Sequence, residues 1–246
     1  MALSGTLINC ALVIVGSLCG LLFKKLMSER LKSTLLQAVG LIVMFVGIGG
    51  AVSATLTLAD GVFGTKDTLN MILSMVFGTI IGELINIEKR LDTFGAFCQR
   101  KLVKGDSNST FAEGMVTASL ILVVGAMAVV GSLDNGIRGD NSTLVAKGII
   151  DCITSMVLAS TLGIGVMFSA VPVLLYQGAI SLLGVYIEPY LTDAVISQMS
   201  FTGSILIFAI GVNMLGLTKI KVGNMLPAIF MPIVFDLCTR LWNMLG

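Results

Sequence analysis

The sequence predicts an all-α membrane protein, a polytopic transmembrane helix bundle of seven or eight spans that forms one integral membrane domain over residues 1–246. Hydrophobic residues make up 56% of the chain and charged residues only 12%, and the mean hydropathy is +1.00. Apolar runs of about 20 residues, the length that crosses a bilayer as a helix, recur along nearly the whole chain. No stretch remains for a separate soluble domain.

The apolar runs predict eight helices separated by short polar or basic segments. They are helix 1 (Ser4–Phe23), helix 2 (Thr34–Leu58), helix 3 (Leu69–Ile87), helix 4 (Ala112–Leu133), helix 5 (Leu144–Leu162), helix 6 (Val166–Tyr186), helix 7 (Ser200–Leu217) and helix 8 (Val222–Trp242). Gly163-Ile164-Gly165 predicts a tight turn before helix 6. Residues 166–199 either cross the membrane or enter and leave it on one side, so the side of the C-terminus is open.

Two clusters of basic residues predict the orientation. They follow helices 1 and 3, and their members are Lys24, Lys25, Arg30, Lys32, Lys89, Arg90, Arg100, Lys101 and Lys104. Cytoplasmic loops carry an excess of Lys and Arg, so both loops are predicted inside and the N-terminus outside. The sequence Asp134-Asn135-Gly136 predicts a turn in the external loop between helices 4 and 5.

Short similarities between helices predict an internal repeat of helix pairs. Gly16–Gly20 in helix 1 and Gly78–Gly82 in helix 3 share a Gly-xxx-Gly spacing, and Asn9 and Asn70 precede them. The alternative is helix packing alone, because this spacing generally allows close backbone approach. Internal repeats are common in transporters. The predicted units are residues 1–95, 110–165 and 200–246, with 166–199 inserted.

Lys147 and Asp151 in helix 5 are the strongest functional candidates. A charge at the bilayer centre costs roughly 2.5–3.5 kcal/mol and usually faces a protein interior or a pathway. The helical period puts both residues on one polar stripe with Thr154, and a spacing of four residues allows them to pair. Lys147 is expected to extend to the outer headgroups, and Asp151 to lie deeper. A structural ion pair that locks the bundle is the alternative.

Asp151 is the predicted coupling or binding residue. Burial favours the neutral acid, whereas the adjacent ammonium favours the carboxylate. The sequence therefore leaves open whether Asp151 exchanges a proton.

Four further residues are predicted to shape the solute pathway. Gln177 and Tyr176 lie in helix 6, which also contains Pro172, a residue that frees a backbone carbonyl. Asn213 adds an amide to helix 7, and Glu83 a carboxylate near the cytoplasmic end of helix 3. Inter-helix hydrogen bonds, or an interfacial position for Glu83, are the alternatives.

Composition argues against several classes of function. The chain has no histidine, and its five cysteines show no C-x-x-C spacing, so neither a zinc nor a haem site is expected. A nucleotide-binding Gly-x-x-x-x-Gly-Lys-Ser/Thr loop is absent from the sequence. The formal net charge of +1 gives no reason to expect a nucleic-acid partner. We expect no cofactor, no metal and no enzymatic activity.

The predicted function is secondary transport of a small solute or ion. A channel, or a structural or assembly protein without transport, is the alternative, and an intramembrane enzyme is the least favoured. The expected partners are the lipid bilayer and an unknown small solute or ion. The Gly-xxx-Gly faces of helices 1 and 3 leave a homo-oligomer open.

Several motifs resemble a bacterial membrane family of unassigned function that includes YdfK-like and YqgA-like proteins. The motifs are Gly131–Gly136, Lys147 with Asp151, Thr161–Val166 and Leu174–Gly178. The resemblance extends over essentially the full length. It implies a multi-pass protein of the bacterial cytoplasmic membrane, and it supplies neither a substrate nor a catalytic residue.

Overall fold

The computed structural model describes residues 3–26, 28–59, 62–90, 93, 110–123 and 126–245. These residues are almost entirely helical, which confirms the predicted all-α fold. The helices of the described chain include α1 (Ser4–Leu26), α2 (Glu29–Thr55), α3 (Thr68–Ile85), α4 (Thr110–Val123), α5 (Ala126–Ile137), α6 (Ser142–Leu162), α7 (Ala170–Ile187), α8 (Asp193–Met214), α9 (Val222–Met225) and α10 (Met231–Leu245); residues 87–90 are also helical. Arg100, Lys101 and Lys104 of the second basic cluster lie outside the described residues.

Seven segments of the described chain are long and apolar enough to cross a membrane. They are Ser4–Lys24, Ser33–Thr55, Thr68–Ile85, Ser142–Leu162, Ile164–Tyr190, Asp193–Met214 and Val222–Met244. An eighth is added if α4 and α5 form one span, and these two helices are bent by 67°. The predicted number of seven or eight spans is therefore confirmed. The sequence left open whether residues 166–199 cross the membrane. The segment Ile164–Tyr190 in this region has 27 residues, which is long enough for a full span.

Three of the spans are interrupted. The predicted helix 4 is divided into α4 and α5, and the predicted turn at residues 134–136 is wrong because these residues belong to α5. The 3-10 segment Ile164–Ser169 precedes α7, and the 3-10 segment Leu226–Ile229 separates α9 from α10. Pro172 is the third residue of α7, in a first turn where the missing N–H costs no intrahelical hydrogen bond.

Gly163 joins α6 to the following 3-10 segment as a single residue. Its φ of +86° lies in the region that glycine adopts without a steric penalty. Its N–H donates to the carbonyl of Ala159 at 3.0 Å, which closes the last turn of α6. A single residue therefore separates the candidate spans Ser142–Leu162 and Ile164–Tyr190.

A small hairpin replaces the predicted end of helix 2. Helix α2 ends at Thr55, and Leu56–Ala59 (β1) pairs antiparallel with Val62–Thr65 (β2), with Leu56 opposite Thr65. The segment begins Leu-Thr-Leu, an alternation of apolar and β-branched residues that suits a strand. Hydropathy alone assigned these residues to the preceding helix.

The helices of the first half pack against helices of the second half through glycine. Helix α1 packs on α6, α2 on α8, and α3 on α9 and the 3-10 segment after it. A Cβ added at Gly16 would clash with the Cys152 backbone carbonyl, and one at Gly82 with the Asn224 carbonyl. These backbones touch because neither glycine carries a side chain. The predicted repeat units stay a prediction.

The surface of the bundle is apolar and its interior contains polar groups. Phe45 on α2 is 79% exposed and Leu84 on α3 is 82% exposed, whereas Asn9 and Gln177 are fully buried. This distribution suits a protein whose solvent is lipid, because a polar side chain facing hydrocarbon has no hydrogen-bond partner. The interior polar groups define the candidate site.

Candidate functional site

Lys147 and Asp151 form a buried ion pair on α6. Their exposed fractions are 6% and 4%, and the Lys147 ammonium donates a hydrogen bond to the Asp151 carboxylate. The same ammonium donates to the backbone carbonyl of Leu122 on α4, at 2.6 Å between Nζ and O. Lys147 does not extend to the membrane surface as the sequence predicted. Its charge is held inside the bundle between two helices.

Leu122 lies in the last turn of α4 that the structure describes, one residue before Val123. The last four carbonyls of a helix have no intrahelical N–H partner, and the end of the helix dipole there is negative. A buried ammonium is a suitable partner for such a carbonyl. The charge pair therefore connects α6 to the interruption between α4 and α5.

Two buried amides extend the site to α1 and α7. The Asn9 side chain donates through Nδ2 to Gln177 Oε1 at 3.2 Å, and it also lies beside the Asp151 carboxyl group. Asn9 Oδ1 and Gln177 Nε2 are buried without a hydrogen-bond partner. Unpaired buried polar groups are costly in an apolar interior and are candidates for contact with a solute or ion.

Asn9 was not assigned to the site from the sequence, where it served only as evidence for a repeat. A signal was present, because an amide within an apolar helix is expected to hydrogen-bond across helices. Nothing in the sequence indicated which helix it meets. The packing of α1 on α6 brings Asn9 to Asp151.

A second polar cluster lies where α1 begins. Asn135 of α5 is fully buried; its Oδ1 accepts from the Gly5 N–H at 3.2 Å, and its Nδ2 donates to Ser4 Oγ at 3.4 Å. The side chain thus satisfies an N–H of the first turn of α1, which has no partner within its own helix. Ser181 of α7 donates to the Ser132 carbonyl at 2.9 Å. These bonds fix α5 between α1 and α7.

Tyr176 lies next to Gln177 in sequence but borders a different region. Three mainly apolar cavities of about 240, 80 and 270 Å³ follow one another, and Tyr176 lines all three. Val123, the last residue of α4, lines the first two. Phe230, at the interruption before α10, lines the last two. The interrupted helices therefore border this row of cavities.

A fourth cavity of about 170 Å³ extends the row at one end. It shares Val116 and Leu120 with the first apolar cavity, and its lining includes Asn213, Glu88 and Glu113. This end is polar, whereas the rest of the row is apolar.

Asn213 closes the loop before Ile220 with the two polar atoms of its side-chain amide. Its Nδ2 donates to the carbonyl of Ile220 and its Oδ1 accepts from the N–H of the same residue, each at 2.8 Å. The predicted pathway residue thus lies at the polar end of the row of cavities, with its amide engaged by backbone.

Replacing Asn213 with alanine is expected to destabilise the protein by about 1–3 kcal/mol, because both polar groups of Ile220 lose their partner. Thermal melting of the purified variant measures the loss of stability. Asn213→Asp keeps one acceptor, so its melting temperature is expected to lie between those of Asn213→Ala and the parent. Solute flux should not change beyond the loss of folded protein. Parent stability with altered flux would instead assign Asn213 to solute binding.

Glu83 lies on α3, and Thr154 lies three residues after Asp151 on α6. Glu83 accepts from Lys221 at 2.8 Å and from Asn224 Nδ2 at 2.5 Å. The hydrogen bond and charge of Glu83 raise the pKa of Lys221 above its ordinary value. Thr154 is half-buried, and its hydroxyl donates to the carbonyl of Ile150 at 2.9 Å. Of the seven predicted site residues, Lys147 and Asp151 pair directly, and Gln177 is linked to them through Asn9.

Within the described residues, no three side chains of His, Cys, Asp or Glu are grouped so that they could hold a metal ion. Cys10, Cys19, Cys152 and Cys238 are free thiols, and Cys98 lies outside the part of the chain that the structure describes. The chemistry available at the site is therefore that of an ion pair, two amides and backbone carbonyls.

The fold and the site define a multi-pass α-helical membrane protein with a buried, hydrogen-bonded charge pair at an interrupted helix. The chain belongs to the family described as protein of unknown function (DUF554), whose model matches residues 4–237. It is similar to the uncharacterized membrane protein YdfK of Bacillus subtilis (strain 168), with 34% identity over 228 residues that cover 93% of each chain. It is also similar to the uncharacterized protein YqgA of Escherichia coli (strain K12), with 27% identity over 97% of this chain and 98% of that one. No solved structure matches it.

Proposed function

We propose that the protein is a secondary transporter of a small solute or ion, with the Lys147–Asp151 pair as its coupling site. The observation that carries this proposal is the position of the pair, buried in the bundle and bonded to a backbone carbonyl in the last described turn of α4. Transporters typically bind solutes and coupling ions where spanning helices are interrupted, because the helix ends there offer unpaired backbone groups.

The coupling acts through the end of α4. The Lys147 ammonium holds the Leu122 carbonyl, and the next residue, Val123, lines two of the cavities beside Tyr176. When Asp151 gains a proton or a solute cation, its attraction for the ammonium weakens and the hold on α4 changes with it. The row of cavities is the solute pathway, and Asn9 and Gln177 contact the coupling ion or solute.

The protein acts in the bacterial cytoplasmic membrane with its N-terminus outside. The basic residues Lys24, Arg30, Lys89 and Arg90 support this orientation, since they follow α1 and α3. It acts without a cofactor and is not an enzyme.

Solute-dependent proton movement in proteoliposomes tests the proposal. Vesicles loaded with the pH dye pyranine are challenged with a panel of amino acids, sugars, nucleosides, organic anions and inorganic ions, with and without a pH gradient. With the parent protein, at least one member of the panel is expected to change the internal pH. Asp151→Asn is expected to reduce the rate of this pH change by about tenfold or more, close to the background rate.

Asp134→Asn is the matched control, because half-buried Asp134 also pairs with a basic residue four positions away, Arg138 at 2.9 Å, whose side chain is exposed. It should transport at the parent rate. An Asp151→Asn variant that folds and transports like the parent overturns the site. Unitary currents in planar bilayers would show a channel instead, and a parent silent toward the whole panel would contradict transport of these solutes.

A further inference from the structure

The Lys147 ammonium contacts oxygen atoms on two helices. It donates to the Asp151 carboxylate on its own helix and to the Leu122 carbonyl on α4. A third oxygen faces the same part of α6. A Cβ placed on Gly148, the residue after Lys147, would lie 3.4 Å from Asn9 Oδ1, and this oxygen is buried with no hydrogen-bond partner.

A fourth oxygen lies one helical turn beyond Asp151. The hydroxyl of Ser155 is fully buried, and its oxygen has no hydrogen-bond partner. A carboxylate, a backbone carbonyl, an amide oxygen and a hydroxyl are hard oxygen donors. Sets of this kind bind small cations in proteins.

We propose that the Lys147 ammonium occupies a binding site for a small monovalent cation, formed by Asp151, the Leu122 carbonyl and Asn9, and takes the place of that cation. The tether of the side chain keeps the ammonium at a high effective concentration, so the site is filled whatever ions the solution contains. Truncating Lys147 opens the site to a free cation such as methylammonium.

The cation site does not depend on transport. Where the proposed transport also holds, the site makes it independent of Na⁺ and K⁺ gradients, because the position that an alkali ion would take is already filled. Flux of the parent protein should then be unchanged when choline replaces both ions.

Rescue of Lys147→Ala by methylammonium tests the site. The purified variant is melted in choline chloride and in methylammonium chloride at equal ionic strength. The variant is expected to melt well below the parent in choline, and methylammonium should raise its melting temperature saturably by several degrees, since a ligand of the native state stabilises it by mass action. The parent should show no such difference.

Two further variants make the result specific. The double variant Lys147→Ala/Asp151→Ala lacks the anion and should not respond to methylammonium. Lys24→Ala removes a lysine that donates to the Thr161 carbonyl at the end of α6, at 3.3 Å, and should show no saturable rescue. If methylammonium raises the melting temperature equally in all three variants, the rise is a general salt effect and the cation site is overturned.

If Lys147→Ala does not fold in choline, methylammonium in the growth medium is expected to restore a monodisperse protein. Failure of both the melting and the expression rescue overturns the cation site. Neither failure bears on the flux of the parent protein, so the proposed transport is tested separately.

Discussion

Replacing either Lys147 or Asp151 alone with leucine is expected to destabilise the bundle by about 3–5 kcal/mol, and replacing both is expected to restore most of that loss. A single replacement leaves the other charge buried and uncompensated, which is the main penalty of a broken buried ion pair. The double replacement removes both charges and fills the space with apolar atoms, a change that is often neutral. Unfolding of the purified proteins by heat or denaturant measures the stability of the two single variants and of the double variant relative to the parent.

Transport should not follow stability in this series. The double variant Lys147→Leu/Asp151→Leu should be folded and inactive, because it lacks any group that exchanges a proton or binds a cation. The partly exposed pair Asp134 and Arg138 is the control, and single replacements there should cost no more than about 1 kcal/mol. A double variant as unstable as the single ones would show that the pair contributes net stability to the fold, and a double variant with parent flux would remove its coupling role.

Replacing Gly16 with alanine is expected to disrupt the packing of α1 on α6, the second large effect. The added Cβ would lie under 3.0 Å from the backbone of Cys152, and backbone atoms cannot move aside as the end of a flexible side chain can. Overpacking of this kind costs about 1–3 kcal/mol or more. Because α1 carries Asn9, separation of the two helices should also move that amide away from Asp151.

Gly49→Ala provides the comparison, since a Cβ at Gly49 meets nothing within 4 Å. There the same substitution should leave stability unchanged or raise it slightly, because alanine favours a helix more than glycine does. Monodispersity on gel filtration and melting temperature measure both variants. Equal stability of the two would mean that α1 can pack on α6 at a larger distance without cost.

The class of the protein was predictable because lipid imposes a simple requirement, a run of about 20 apolar residues for each span. The burial of Asp151 was predictable for a related reason, since a charge in such a run must face the interior. The position of Lys147 was not. Its partner is the Leu122 carbonyl of α4, and the packing of α4 on α6 that brings the two together is not indicated by the sequence.

The assignment of Tyr176 and Gln177 to one site shows a second limit. Successive residues of an α-helix point about 100° apart, so neighbours in sequence generally face different surroundings. Gln177 meets Asn9, whereas Tyr176 borders the cavities on another side. The sequence indicated that both residues are polar groups inside an apolar helix, but the choice between the two surroundings depends on how α7 is rotated against its neighbours.

The single-residue connection at Gly163 has a consequence for how the protein is made. Only one residue lies between α6 and the next candidate span, so these two segments should leave the translocon in direct succession. Lys147 and Asp151 would then enter lipid already paired on one helix, and the helix that carries Gln177 would follow directly. Biosynthesis therefore need not expose either charge alone to hydrocarbon, even though each would be costly there.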